Sequence, residues 1–151
     1  KTERGDDNKD YVVDGNGRYL ERTAQHYVLI LDEDGTTQQA LLPMKSTQYK
    51  KSKQWNSAMR SLKMKDSKMK DSSGSMFTPP RFGHIWKLET VSEENKNGSW
   101  HGWQISKLEP VSDPELYQEA KLFAESIQAG KVNVQHVREE DKTSSDEDVP
   151  F

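Results

Sequence analysis

The chain has 151 residues, 31% of them hydrophobic and 31% charged, with a formal net charge of -3 and no cysteine. That length suits one domain with appendages, and the lean apolar content predicts segments that never join a core. Disulfides, thiolate zinc sites and cysteine nucleophiles are excluded, no apolar run approaches the roughly 18 residues of a membrane span, and no secretory leader opens the chain. The chain begins at Lys1 rather than Met, which leaves room for an upstream strand or arm.

Residues 1–9 are polar and read as a loose arm. Tyr11 to Val13 reads as a short strand, and Arg18 to Thr23 as its partner across the turn Asp14-Gly15-Asn16-Gly17. His26 to Leu31 is the most apolar strand. It turns at Glu33-Asp34-Gly35 and pairs back through Thr37 to Leu42. Ser46 to Lys63 reads as a helix capped by Ser46, with Trp55, Ala58, Met59 and Leu62 as its apolar stripe. Asp66 to Gly74 is loop-like, and Thr78-Pro79-Pro80 stops any helix.

Phe82 to Val91 predicts a strong strand, with Trp86, Leu88 and Thr90 on one face and Ile85 and Val91 on the other. After the turn at Glu94–Gly98, Trp100 to Leu108 is its partner. There Trp103 and Ile105 share one face, and Trp100, Gly102 and Gln104 share the opposite one. A second helix opens with Asp113 as cap and Pro114 in the first turn. Its stripe is Leu116, Ala120, Phe123 and Ile127, and Gly130 stops it. Beyond about Val137 only charge and serine remain, the signature of disorder. The order predicts a mainly β chain with two helices. The fitting architecture is an OB-fold-like, five-stranded, partly open barrel over residues 1–137, followed by a disordered acidic tail over 138–151. A sandwich or an α+β sheet fits the pattern too.

Charge is divided unevenly along the chain. From Arg138 to Phe151 six acids face two bases, so the tail carries -4 and the rest +1. Met44 to Lys70 holds nine bases against Asp66 alone. A basic segment and an acidic end on one chain point to a polyanionic partner. Cations for phosphates and aromatic faces for bases are what non-specific single-strand binding needs. Lys45, Tyr49, Lys50, Lys51, Lys53, Arg60 and Lys63 are therefore candidates, with Trp100 and His101 beside glycines on the later hairpin. Gly98 and Gly102 would let a nucleic-acid strand approach closely, and a bulge explains them equally. Trp55, Trp86 and Trp103 alternate or stripe with aliphatics and read as core. A solvated lysine face is the bland alternative, but nine bases against one acid exceed what solubility asks for.

The chain end is the most specific motif. Asp146, Glu147, Asp148, Val149, Pro150 and Phe151 resemble the C-terminal tip of bacterial and phage single-stranded-DNA-binding proteins, a run of aspartates followed by Ile-Pro-Phe, with Val149 in place of Ile. The terminal ring and carboxylate of Phe151 suit an apolar pocket rimmed by Arg or Lys. Lys45 to Asn56 and Gly98 to Trp103 resemble a group of phage-encoded proteins placed among the same binders, over most of residues 11–135. The resemblance implies an OB-fold protein of the bacterial host cytoplasm that coats single-stranded DNA during replication, recombination or repair. It implies that the tail recruits replication or recombination proteins. A recombination accessory that anneals strands or loads a recombinase is the alternative. Catalysis, metal and cofactor binding find no motif: the Asp14–Gly17 turn is no phosphate loop, and Asp32, Glu33 and Asp34 are ordinary turn acids. A non-enzymatic protein without membrane attachment is expected, with oligomers allowed.

Overall fold

The computed structural model describes residues 1–65 and 76–131. The expected loop at 66–74, with Lys68 and Lys70, lies outside the described residues, as does the acidic tail. The described chain is mainly β with two helices, as expected.

The N-terminal residues are not a loose arm. Thr2–Arg4 (β1), Asp10–Val12 (β2) and Tyr19–Leu20 (β3) form an antiparallel meander, with Glu3 opposite Tyr11 and Tyr11 opposite Tyr19. The tight connections rest on Asn8, Asp14 and Asn16, which adopt positive φ. Their short polar side chains tolerate that region better than other residues do. Tyr11 and Tyr19 meet edge to face at 6.0 Å, Asp7 accepts from the Tyr11 hydroxyl at 2.9 Å, and Lys9 lies 4.5 Å above the Tyr19 ring. These pairings join residues that look merely polar when read singly.

Thr23–Leu31 (β4) and Thr37–Lys45 (β5) form a hairpin in which His26 faces Leu42 and Val28 faces Ala40. Gly35, at φ 84, makes the turn, which Asp34 braces by accepting from the Thr36 amide at 2.9 Å. Both strands run longer than the sequence suggests, because Thr23 and Pro43 to Lys45 continue the ladder. Helix α1 spans Thr47–Ser61. Ser46 precedes it but does not cap it: its φ of 52 is left-handed rather than extended, and its side chain makes no capping bond. The helix also stops earlier than expected, since Leu62 is extended.

A short 3-10 turn, Arg81–Gly83, follows the two prolines, so Phe82 sits in a turn and not in a strand. Its ring meets Tyr117 edge to face at 5.4 Å. Then His84–Asn95 (β8) and Gly98–Pro110 (β9) form the long hairpin; β6 (Met64–Lys65) and β7 (Met76–Phe77) are a two-residue pair before it. Leu88 faces Ile105 and Thr90 faces Trp103, so the expected faces hold. Helix α2 spans Pro114–Gln128, capped by the Asp113 carboxylate on the Glu115 amide at 2.9 Å. Ala120 and Phe123 of its stripe are buried.

Each sheet pairs chain neighbours only: β1–β2–β3, β4–β5, β6–β7 and β8–β9. These ladders do not close into a barrel. What joins the two long hairpins is α1, which packs against β4, β5 and β9. Met44, Trp55 and Met59 form the buried cluster there, with Val28, Leu42, Trp86, Leu88, Trp103 and Ile105 packed around it. The aliphatic and tryptophan assignments to the core therefore stand. Ser52, the one buried polar residue among those described, is satisfied by the His26 Nε2 at 2.7 Å, and the His26 ring stacks on Trp55 at 4.8 Å.

Candidate nucleic-acid interface

Helix α1 carries no acidic residue along its 15 positions. Its apolar stripe points inward, so the positions left for solvent are set by helical spacing. Lys50, Lys53, Ser57 and Arg60 follow one another at three, four and three residues, which is one face of an α-helix. All four are exposed. Lys53 lies 4.8 Å above the Tyr49 ring, a cation–π contact that holds both side chains along the helix. Arg60 falls in the last turn, where its charge also suits the negative helix end.

Beside this stripe α1 is fastened to the long hairpin by a polar cluster. Glu93 of β8 is at its centre. Its carboxylate accepts from Lys51 Nζ, from the Trp100 indole at 2.8 Å and from Gln48 Nε2 at 3.2 Å. Lys51 Nζ also donates to the Trp103 carbonyl at 2.6 Å, while Gln48 Oε1 accepts from the Trp103 amide at 2.9 Å. Two helix side chains one turn apart thus bond both backbone groups of a single β9 residue, as a neighbouring strand would. They cover that stretch of an otherwise open edge. The Lys51 ammonium, followed by the Trp100 indole, holds the Glu93 carboxyl below its ordinary range. Gly102 makes the cluster possible: a Cβ there would stand 2.1 Å from Glu93 Oε2 and 2.6 Å from Gln48 Nε2. Gly102 is buried beneath these side chains, so the space read as open to a nucleic-acid strand is filled by Glu93 and Gln48.

The residues singled out from sequence divide accordingly. Lys50, Lys53, Arg60 and Tyr49 come together along the outer face of α1. Lys50 and Trp100 share a groove of about 460 Å³ with Thr47, Gln54 and Glu94. Lys51 and Trp100 belong to the Glu93 cluster, so the Lys51 ammonium is engaged and only half-buried Trp100 retains a free ring surface. Lys45 is paired with Glu21 at 3.4 Å, and Lys63 donates to the Thr78 hydroxyl at 2.8 Å. His101 is exposed but occupies the opposite face of the hairpin from Trp100, near the Ser92 hydroxyl at 3.4 Å. The tail residues Asp146 to Phe151 lie outside the described residues. Sequence reading missed Gln48 and Glu93. The only signals were one of three amides on a basic helix and a glutamate opposite a tryptophan across a turn.

A family model described as Pam3 phage gp34-like protein matches residues 1–133. The chain belongs to the Pam3 phage gp34-like family. The family's name points to a phage origin, in line with the origin expected from the sequence. No curated protein and no solved structure matches the chain. Among the described residues, no helix is long and apolar enough to cross a membrane, and no group of three or more His, Asp or Glu side chains could hold a metal ion.

Proposed function

We propose that this member of the Pam3 phage gp34-like family binds single-stranded DNA through the outer face of α1. The observation that carries the reading is the acid-free helix with Lys50, Lys53 and Arg60 on one exposed stripe, next to a groove that offers the Trp100 ring. Phosphates supply a regular line of anions, and a helix face is a regular line of cations. Affinity then comes mainly from charge, with stacking on aromatic faces added. The two hairpins held on α1 act as an OB-like platform for that face, and no groove wide enough for a duplex is required of it.

The tail, in this reading, recruits partner proteins through the Phe151 ring and carboxylate while its acids steer them. Its similarity to the tip of single-stranded-DNA-binding proteins supports that half of the proposal. A mobility-shift competition tests the first half. A labelled single strand should be displaced by unlabelled single strand far better than by duplex of equal length. Equal competition by duplex refutes the reading. Removal of Asp146 to Phe151 should leave DNA binding equal or tighter, and abolish capture of a replication or recombination partner.

A further inference from the structure

A strand at the rim of an open sheet invites pairing with another chain, and charged side chains or proline are the usual defence. Three of the four long strands have it: β5 carries Pro43 and Lys45, β8 carries Lys87 and Glu89, and β9 carries Lys107 and Glu109. β4 does not. Its nine residues, Thr23–Leu31, include no Asp, Glu, Lys, Arg or Pro. In the described sheet it pairs with β5 alone, so its other edge is free.

The ladder shows which groups that edge offers. The Asp32 amide donates to the Thr36 carbonyl at 2.9 Å, so position 32 points at β5. Alternation along the antiparallel pair then turns the backbone groups of Thr23, Gln25, Tyr27, Leu29 and Leu31 outward. Pro43, which has no N–H, falls opposite Gln25, at a pair that needs none. The outward amides and carbonyls find no partner among the described residues. The same five side chains lie on the face away from α1, where Tyr27 is 37% and Leu31 41% exposed, with Leu41 of β5 beside them.

We propose that a second copy of this chain covers this edge, β4 against β4 about a two-fold axis. Antiparallel pairing of a strand with itself fixes its register: overlap of all nine residues puts Tyr27 opposite Tyr27 of the second copy, and Gln25 opposite Leu29. One step beyond the strand, the same register puts Arg22 opposite Asp32 at both ends. Both residues are exposed, and neither has an ion pair of its own among the described residues. The next step brings Glu33 opposite Glu21, whose charge Lys45 offsets at 3.4 Å. A charge-free strand closed at each end by opposite charges is complementary to its own copy. The product is a four-stranded sheet in the order β5–β4–β4–β5. Tyr27, Leu29 and Leu31 of both copies share one face of it, and both α1 helices lie on the other.

The test measures the mass of the full chain by sedimentation equilibrium over a concentration series without nucleic acid. The wild type should reach the mass of two chains. Tyr27→Lys sets like charges face to face at the axis from an exposed position and should give the mass of one chain, as should Tyr27→Glu. Mixing these two variants in equal amounts should restore two. Arg22→Asp lies outside the strand and replaces both end pairs by like charges, so it should raise the dimer Kd roughly tenfold. Asp32→Arg added to it should bring the Kd back, which keeps the test decisive should the variants at position 27 fail to fold. A wild type of one-chain mass at every concentration overturns the proposal. So does a Tyr27→Lys variant that still pairs, a mixture that stays at one-chain mass, or an Arg22→Asp variant that dimerises as wild type.

Discussion

Replacing Lys50, Lys53 and Arg60 together by Ala removes the exposed cations of α1 and leaves the Glu93 cluster whole. Position 50 to position 60 spans about 15 Å of helix at 1.5 Å per residue, so the three charges can meet separate phosphates of one strand. Each phosphate contact on a single strand contributes about 0.7 to the slope of log K against log salt. Losing three should therefore reduce the slope by about 2. Between 50 and 200 mM salt that changes the ratio of wild-type to variant affinity roughly twentyfold, with the largest defect at low salt. Anisotropy titrations of a labelled oligonucleotide at four or five salt concentrations give both slopes. Lys51→Ala is the internal contrast. Its ammonium is bonded to Glu93 and to the Trp103 carbonyl, so its removal should lower stability and hardly alter the slope. An unchanged slope in the triple variant refutes the assignment of the stripe. So does a Lys51→Ala variant that folds as wild type yet loses as much slope as each of the other three.

Met44 is fully buried, and Met44→Ala should cost about 2–5 kcal/mol, measured as a fall in urea midpoint with the m-value kept. Gly102→Ala should destabilise the chain, although a glycine-to-alanine change in open space usually stabilises, because the new Cβ displaces Glu93 and Gln48. The same change introduced into Glu93→Ala should cost clearly less, since only the contact with Gln48 remains, so additivity of the two in urea titrations would refute the cluster. Burial, then the Arg81 charge, hold His26 below its ordinary pKa, and burial, then Lys107, do the same for His84. The unfolded chain therefore binds these protons first. Stability is complete above the usual histidine range of about 6.5 and falls as pH drops through the depressed values. His26→Phe should flatten that decline in urea midpoints recorded between pH 7.5 and 5, and an equally steep decline would refute the assignment.

The elements with strong periodicity were legible. The faces of β8 and β9, the stripe of α2 and its Asp113 cap follow from spacing alone, and so does the burial of Trp55. In the N-terminal meander the β2–β3 hairpin was legible from its Asp14–Gly17 turn, but β1 was not, because its pairing depends on a left-handed turn at Asn8 among residues that look merely polar. Each strand there is two or three residues long, too short for a period to register. Ser46 failed as a cap because its φ is positive rather than extended, a conformation that a serine before a helix does not announce. Within the candidate site, composition identified the basic helix but could not say which lysines were occupied. That depended on Glu93, 42 residues from Lys51. Net charge over a segment counts cations, whereas a polyanion meets only those left unpaired in space.

The double bond from Gln48 and Lys51 to the backbone of Trp103 has a mechanical consequence. It reads one residue of β9, donor and acceptor together, so α1 cannot slide along the hairpin by a residue without breaking both contacts. Helix and ribbon are indexed to each other like a gear and rack at one tooth. A pull on the outer face of α1 is delivered to the hairpin as a whole, and a twist of the hairpin turns the helix with it. Loosening that single tooth, by Gln48→Ala, would let the two move apart while their hydrogen-bond ladders stayed intact. Amide exchange in β8 and β9 would then rise near Trp103 first.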